Sequence, residues 1–298
     1  MARQDHGTSV RWGLGRFGLA VAVGVAGLAV GGAAGQEKAG GEEQGGKGSG
    51  HAANPSPGKA GLHVGVAAIV DNVTLQQTAE QAGSDLETAS AQDVLRWSVE
   101  TFGDRFVIAS SMGDGLLAAL VSEVASGVDV LFLDTGYHFA ETIGTRDAVA
   151  QVYDVSVRTM LPLLTVAEQD DAHGARLYER DPNACCALRK VEPLARGLEP
   201  YTAWASGIRR DEATTRRDIA VVEWDAKREM VKVNPIATWT QADVDAYVEA
   251  HGVLVNPLAY DGYPSIGCAP CTRRVAPGED PRSGRWAGSA KTECGLHV

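Results

Sequence analysis

The feature of this sequence that most limits its fold is an alternation of short apolar strands with helices. RFVIASS (105–111), VDVLFLDTG (128–136) and VSVRTML (155–161) have the apolar content of buried strands. The segments that separate them, LLAALVSEVAS and AETIGTRDAVAQVY, have helical patterns. Nearly continuous apolar strands that alternate with helices are typical of a parallel sheet covered on both faces. The pattern therefore predicts an α/β fold with a doubly wound, mostly parallel sheet.

Further segments extend this prediction in both directions. Residues 75–103 have helical spacing, and YTAWASGIRR (201–210) predicts a strand that ends in two arginines. ADVDAYVEAHG predicts a helix capped by Thr240, with Asp243 three residues later. Beyond Cys271 the chain is rich in Gly, Pro and charge without an apolar period, which predicts a tail rather than a packed element. Ligands of doubly wound sheets bind at the carboxyl ends of strands, so we expect the site in the loops that follow the strands.

The N-terminal part of the chain has a different composition. Residues 17–34 form an apolar run behind three arginines, which is the outline of a secretory signal, although five glycines weaken it as a helix. Residues 35–61 are Gly-rich and polar, which predicts a disordered linker. We expect residues 1–75 to be an extension that does not export the protein, or the product of a translation start assigned too far upstream. Residues 76–271 are then the main domain, and 272–298 a mobile tail.

The charge of the chain restricts its partners. A formal net charge of −11 argues against a general binder of nucleic acid or of an anionic membrane, because such binding needs a positive surface. An anionic ligand must therefore meet a local basic cluster, whose guanidinium groups match phosphate and sulfate oxygens. For any one pair of cations, solvated surface charge is the alternative. The candidates are Arg189, Lys190, Arg209, Arg210, Arg216 and Arg217.

Two loops at predicted strand ends carry groups that suit a nucleotide. SSMGDG joins a strand to a helix, where backbone N–H groups favour an anion and where Ser110 and Ser111 let phosphate oxygens approach. LDTG supplies Asp134, Thr135 and Gly136 at the end of the next strand, where a nucleoside can lie. A role of Asp134 as the cap of the following helix agrees with the sequence equally well.

Four of the five cysteines form two pairs far apart in the sequence. Cys185 and Cys186 are adjacent, and Cys268 and Cys271 form the motif CAPC. Outside a small secreted framework, such cysteines indicate metal-bound or catalytic sulfur in a reducing compartment. Zinc accepts four thiolates, but its paired cysteines are usually two to four residues apart. Adjacent side chains diverge, which suits the separated irons of a [4Fe-4S] cluster. We favour the cluster and keep zinc as the alternative.

The fifth cysteine, Cys294, lies near the C-terminus in KTECGLHV. Lys291 and His297 flank it, and nearby positive charge favours the thiolate, which is the nucleophilic form. The chain between Cys271 and Cys294 has a coil span of roughly 25 Å, so the tail can reach a site and leave it again. An inert, exposed thiol is the alternative to a mobile nucleophile.

Seven segments in combination resemble the assimilatory adenylyl-sulfate (APS) reductases of the sulfonucleotide reductase family, over about residues 76–298. They are SSMGDG, FLDTGYHFAETIGTRDA, CCALRK, GIRRDEATTR, YPSIGCAPC, GRW and KTECGLH. The resemblance implies an adenine nucleotide α hydrolase-like fold and a cytoplasmic enzyme of sulfate assimilation and cysteine biosynthesis. It implies thioredoxin or glutaredoxin as electron donor and no nucleic-acid or membrane partner. It leaves the oligomeric state open, a homo-oligomer included.

The resemblance also implies residue roles. Cys294 would attack the sulfur of APS, expel AMP and form an S-sulfocysteine that thioredoxin reduces with release of sulfite, and His297 belongs to the same terminal motif. Lys190 would lie between substrate and a [4Fe-4S] cluster of electrostatic and structural function. The ligands of this cluster would be Cys185, Cys186, Cys268 and Cys271, and the arginines near the sulfate and phosphate would be Arg209, Arg210 and Arg216.

Some alternatives and two departures from the family pattern remain. One departure is that residues 1–75 have no counterpart in the family motifs. Relatives that use the 3′-phosphorylated substrate (PAPS) mostly lack the four paired cysteines, which favours APS over PAPS. The alternatives are a PAPS reductase, a nucleotide-activating transferase such as an ATP-dependent tRNA thiolase, and a zinc-stabilised nucleotide-binding module. Gly113 and Gly115 stand where many relatives carry polar or bulkier residues, which puts the stiffness of the SSMGDG loop in question.

Overall fold

The computed structural model describes residues 72–287, 291 and 293–297. The apolar run at 17–34 and the Gly-rich segment at 35–61 lie outside the described residues, and the predictions for them remain predictions. In the described part of the chain, no helix has both the length and the apolar content that crossing a bilayer requires.

Six strands form one sheet within residues 72–287. They are β1 (Phe106–Ser110), β2 (Val128–Leu133), β3 (Val155–Met160), β4 (Ala203–Ser206), β5 (Val222–Asp225) and β6 (Met230–Val233). The strand order is β3-β2-β1-β4-β6-β5, and only the pairing of β5 with β6 is antiparallel. The predicted mostly parallel sheet is therefore confirmed. Sequence analysis did not predict the β5–β6 hairpin, whose strands are short and contain charged residues such as Lys232, paired with Glu223 at 2.8 Å.

The described helices alternate with the parallel strands as expected. They are α1 (Asn72–Asp85), α2 (Ala91–Phe102), α3 (Leu116–Ser122), α4 (Ala140–Val152), α5 (Val166–His173), α6 (Leu177–Arg180), α7 (Pro182–Cys186), α8 (Glu192–Leu198) and α9 (Gln241–His251). The helical pattern of 75–103 becomes two helices, because Ser90 caps α2 and accepts from the Asp93 N–H at 3.1 Å. The predicted capping box at Thr240 and Asp243 is confirmed at the start of α9.

The two faces of the sheet carry separate hydrophobic clusters, as the alternation along β4 shows. Ala203 and Ala205 belong to the larger cluster, which contains residues of α1, α2 and α3, while Trp204 belongs to the smaller one. The smaller cluster consists of Val107, Leu131, Leu194, Leu198, Tyr201, Trp204 and Met230. Leu296, from the C-terminal end of the chain, packs against this smaller cluster.

The strand order reverses direction between β1 and β4. From β1 the chain proceeds outward through β2 and β3, and it then returns to β4 on the other side of β1. Such a reversal leaves a crevice at the carboxyl ends of the two central strands, where α/β proteins bind their ligands. The loop that follows Ser110 and the loop that follows Ser206 therefore face one site.

The segment that follows Cys271 is packed, contrary to prediction. Trp286 is buried, its backbone N–H donates to the carbonyl of Cys271 at 2.9 Å, and Thr272 is bridged to Arg285. A Cβ on Gly284 would overlap the carbonyl oxygen of Arg273, so the two backbones are in direct contact. The prediction of an unpacked tail is wrong for residues 272–287, because backbone pairing and one buried indole need no apolar period. Mobility of the tail stays a prediction.

Two helical glycines provide a test of how closely the helices pack against the sheet. A Cβ on Gly83 in α1 would lie 2.5 Å from the carbonyl oxygen of Val222 in β5, whereas a Cβ on Gly144 in α4 would have no atom within 4 Å. We predict that G83A lowers the free energy of unfolding by about 1–3 kcal/mol, because a backbone carbonyl yields little. G144A, the matched control, should raise it by about 0.5–1 kcal/mol. Urea denaturation measures both, and equal losses in the two variants would contradict the prediction.

Candidate active site

A cavity of about 630 Å³ opens at the carboxyl edge of the sheet. Its lining includes the ends of β1 and β4, the loops that follow them, and the C-terminal end of the described chain. The predicted site residues that line it are Ser110, Ser111, Thr135, Lys190, Arg209, Arg216, Cys294 and His297. The fold thus brings together residues from nearly the whole length of the main domain.

The LDTG turn divides its residues between two functions. Thr135 lines the cavity, whereas Asp134 and Gly136 are not among its described lining residues. The Asp134 carboxylate instead accepts the Gly136 N–H at 2.9 Å and so closes the turn. Gly136 has a φ of 71°, and a Cβ there would lie 3.1 Å from the Arg189 Nη2. The geometry of Asp134 and Gly136 thus favours roles in shaping the loop rather than in contacting a ligand.

Arg210 is directed away from the cavity. Its guanidinium forms two hydrogen bonds to the Glu87 carboxylate, at 2.6 and 3.0 Å, and donates to the carbonyl of Ile219 at 2.9 Å. The hydrogen bond from Arg210 lowers the pKa of Glu87. The donors of Arg210 already connect the start of the domain to the loop after β4. This arrangement therefore favours a structural role of Arg210 over a contact with substrate.

The loop after β1 is held in place by residues 254–256. The Asn256 side chain donates to the Met112 carbonyl at 3.1 Å, and the Gly115 N–H donates to the Leu254 carbonyl at 2.7 Å. A Cβ on Gly115 would lie 2.9 Å from the Tyr153 ring, so a bulkier residue does not fit. These contacts restrain the loop despite its glycines, and Gly115 is the residue that this close packing requires.

The cavity is locally basic in an acidic protein. Among the described residues that line it, five cationic side chains face three carboxylates. The cations are Lys190, Arg209, Arg216, Arg282 and Arg285, and the carboxylates are Asp114, Glu212 and Asp245. Burial raises the pKa of Asp114. The lining is therefore suited to an anionic ligand.

Arg282 and Arg285 are cavity residues that sequence reasoning missed. Arg285 donates from Nη1 to the Ser265 hydroxyl and to the Ile266 carbonyl, both at 3.2 Å, and its Nε has no hydrogen-bond partner among the described residues. Burial and the neighbouring Arg282 lower its pKa. The two arginines lie in RSGRW (282–286), within the segment whose composition predicted a tail. Their spacing beside a tryptophan was the available signal.

The four paired cysteines line a second, smaller enclosure. Cys185 and Cys186, at the end of α7, meet Cys268 and Cys271 there. Burial and the neighbouring thiols raise the pKa of Cys185 to about 12 and that of Cys271 to about 11. No carboxylate or imidazole is among the described residues of this lining. Within the described residues, no three Cys, His, Asp or Glu side chains group as they would around one metal ion.

The two enclosures meet at Lys190. Lys190 lines both, and the Thr135 hydroxyl, which faces the larger cavity, lies 3.3 Å from the Cys268 sulfur. Burial opposes the charge of Lys190, but the negative charge of Cys268 and Cys294 as thiolates outweighs this effect and raises the pKa of Lys190. A cation is thus held between the cysteine group and the cavity that contains Cys294.

The C-terminal residues form one wall of the larger cavity. The Glu293 carboxylate pairs with Arg216 at 2.9 Å and with Arg282 at 3.3 Å. The His297 ring stacks on the fully buried Trp204, with ring centres 5.9 Å apart and planes inclined by 11°. These contacts place Cys294, which lies between them in the chain, at the cavity.

The chain is similar in sequence to known proteins of one family. Residues 105–274 match the family described as the phosphoadenosine phosphosulfate reductase domain. The chain belongs to this family. It is 62% identical over 223 residues to an adenosine 5′-phosphosulfate reductase of Streptomyces coelicolor, which covers 75% of this chain and 94% of that protein. It is 58% identical over 224 residues to the enzyme of that name from Mycolicibacterium smegmatis, with coverage of 75% and 95%.

A solved structure of another protein has a fold similar to that of this family member. The phosphoadenylyl-sulfate reductase of Candida auris, in a phosphate complex, superposes with a TM-score of 0.57 at 28% identity. The match covers 67% of this chain and 97% of that one. The expected adenine nucleotide α hydrolase-like fold is therefore confirmed.

In this family member, the docking of the C-terminal segment should depend on pH. Burial, together with the cations Lys232, Arg216, Arg228 and Arg282, lowers the pKa of His297 well below its ordinary 6.5, so the docked imidazole is neutral. The released imidazole protonates near 6.5, so docking is strongest above that pH and weakens by up to about tenfold per unit below it. Hydrogen–deuterium exchange of residues 293–297, corrected for intrinsic rates, should lose protection between pH 7.5 and 5.5. Equal pH dependence in H297Q would contradict this.

Proposed function

We propose that this protein is an adenylyl-sulfate reductase, which reduces APS to sulfite and AMP in sulfate assimilation and cysteine biosynthesis. The observation that carries the proposal is the position of Cys294 in a cavity lined by five cationic side chains at the carboxyl edge of the sheet. A thiol beside a basic cavity suits attack on a sulfur atom that is attached to an anionic nucleotide. The names of the similar proteins from S. coelicolor and M. smegmatis favour APS as the substrate.

The cavity residues divide into those that bind and those that react. The loop with Ser110 and Ser111, which leads into α3, and the basic side chains bind the phosphosulfate and the nucleotide. Hydrogen bonds from charged donors contribute about 1.5–3 kcal/mol each. Arg285 supports this assignment most directly, because its unpartnered Nε has donor capacity left for a ligand oxygen.

The chemistry proceeds in two transfers. The Cys294 thiolate attacks the sulfur of APS, the bond between that sulfur and the phosphate oxygen breaks, and AMP leaves with the electron pair. The enzyme then holds an S-sulfocysteine. A thiolate of reduced thioredoxin, or of glutaredoxin, attacks the sulfur of Cys294, and sulfite leaves with the electron pair of the broken S–S bond. A second thiol of the donor resolves the mixed disulfide, returns the Cys294 thiol and supplies the second of the two electrons.

The residues of the smaller enclosure fit a [4Fe-4S] cluster. Cys185, Cys186, Cys268 and Cys271 would hold it, since they line one enclosure as an all-thiol donor set. When bound, the cluster would supply structural support and an electrostatic field beside the substrate. Lys190, at the border of both enclosures, would balance its charge and hold the sulfate end of APS. We place the enzyme in the cytoplasm, where APS, thioredoxin and reducing conditions occur together.

The first prediction from this proposal concerns the nucleophile. Anaerobic incubation with APS and no reductant should add one sulfonate to the peptide that contains Cys294, and C294S should form no adduct while it keeps the absorption spectrum of the cluster. PAPS in parallel tests the alternative substrate. Peptide mass spectrometry measures both. An adduct with PAPS alone would identify a PAPS reductase, and no adduct with either nucleotide would overturn the proposal.

The second prediction concerns the cofactor. Anaerobically purified protein should be brown and contain about four iron and four sulfide per chain. C185S should lose most of the iron and sulfide, because it removes a buried ligand, whereas C294S should keep both. Metal and acid-labile sulfide analysis measures this without any activity assay. A colourless protein with one zinc would identify the zinc-stabilised alternative instead.

A further inference from the structure

We propose that Arg228, in the turn between β5 and β6, is a positioning residue that docks the C-terminal segment and thereby holds Cys294 at the cavity. The link to catalysis rests on the proposed function, whereas the docking itself does not. Arg228 lies outside every motif that pointed to the reaction, and it is not among the described residues that line the cavity.

The need for docking arises from the way the sheet is covered. Residues 207–229, all described, lead from β4 to β6 through short 3-10 turns and β5 and contain no α-helix. Helix α8 supplies Leu194 and Leu198 to the cluster that contains Trp204. Between β4 and β6, however, the chain has no crossover helix of the kind that normally covers a parallel pair. Leu296 and His297 take its place, since Leu296 packs on the smaller cluster and His297 stacks on Trp204. The C-terminal segment completes the hydrophobic core on this face.

Arg228 fixes the backbone of that segment. Its Nη2 donates to the carbonyl of Leu296 at 3.0 Å, two residues beyond Cys294. Its guanidinium lies over the Trp204 ring, 5.3 Å from the ring centre, which is within the range of a cation–π interaction. The same side chain thus contacts both the segment and the surface on which the segment lies.

Arg228 is also held by contacts within its own turn, which do not involve the C-terminal segment. Its Nη1 pairs with the Asp225 carboxylate at 2.8 Å, and the Asp225 carboxylate also accepts the Arg228 backbone N–H at 3.2 Å. With the C-terminal segment docked, the side chains of Arg228 and Asp225 are 11% and 8% exposed, so solvent screens this pair little. A pre-oriented, charged donor makes a stronger hydrogen bond to a carbonyl than a mobile one does.

The two halves of the proposed reaction make opposite demands on this docking. The attack on APS needs Cys294 at the cavity, whereas the dithiol donor must reach the S-sulfocysteine afterwards. A weaker contact at Leu296 should therefore slow the first transfer and leave the second at least as fast. A residue that only stabilised the fold would not separate the two steps in this way.

The test compares R228M with R105M. Methionine keeps much of the length of the arginine side chain and removes the donors, and Arg105 is an exposed arginine at the opposite, amino-terminal edge of the sheet. In anaerobic holoenzyme without nucleotide, we expect the alkylation of Cys294 by iodoacetamide, followed on its peptide, to accelerate about tenfold or more in R228M. R105M should match the wild type. R228K, which keeps a charged donor, should lie between the two.

The reaction provides the second readout. In single turnover with APS, R228M should form the Cys294 adduct about tenfold more slowly, and thioredoxin should release sulfite from the preformed adduct at least as fast as in the wild type.

Unchanged alkylation in R228M and R228K would overturn the docking role. Faster alkylation with unchanged adduct formation would overturn the positioning role. If the wild type formed no adduct, the proposed function would fail while the alkylation result still decided the docking. Should R228M not fold, R228K carries both comparisons.

Discussion

The buried guanidinium of Arg189 is the contact on which the arrangement of the site depends. It donates to the carbonyl of Thr135 at 2.6 Å and to the Gln169 side chain at 3.0 Å, and it stacks over the Tyr137 ring. Arg189 lies in a π-helical turn, Ala187–Val191, and its contacts connect this turn to the loop after β2. Thr135 in turn contacts Cys268. The two contacts together therefore link the segment that carries Cys185 and Cys186 to Cys268. Lys190, the next residue, is consequently directed to the border between the cysteine group and the cavity.

The second organising feature is a positive cavity in a chain of net charge −11. Much of its positive charge is already paired. Arg209 contacts Asp211 at 3.0 Å, and Glu293 bridges Arg216 and Arg282. The carboxylate of Glu293 thus lies among the same cations that would bind the phosphosulfate. Removal of these charges from water is costly unless they are paired, which explains why a carboxylate from the C-terminal segment accompanies the arginines.

Sequence patterns predicted the strongly periodic elements well and the irregular ones poorly. The buried strands β1, β2 and β3 and the capped helix α9 were predicted because their signals are local. The β5–β6 hairpin was missed because its charged residues, such as Lys232, are buried as ion pairs that no period reveals. The packing of Trp286 and the cavity positions of Arg282 and Arg285 were missed for a related reason, since backbone pairing holds that Gly- and Pro-rich segment. Arg210 was grouped with Arg209 by adjacency, although neighbouring side chains after a strand point to different surroundings.

What the sequence by itself determined is the chemistry available to the protein: two cysteine pairs, a separate terminal cysteine, basic residues and a doubly wound sheet with loops at its carboxyl edge. Residue types and periodicity encode these features because they depend on covalent structure and short-range geometry. Only the tertiary structure decided which basic side chains reach the cavity, that Asp134 shapes a turn, and that Leu296 and His297 complete the core beside Trp204. Those outcomes depend on contacts between segments far apart in the chain, whose free energies arise only when the sheet has formed and its faces have been covered.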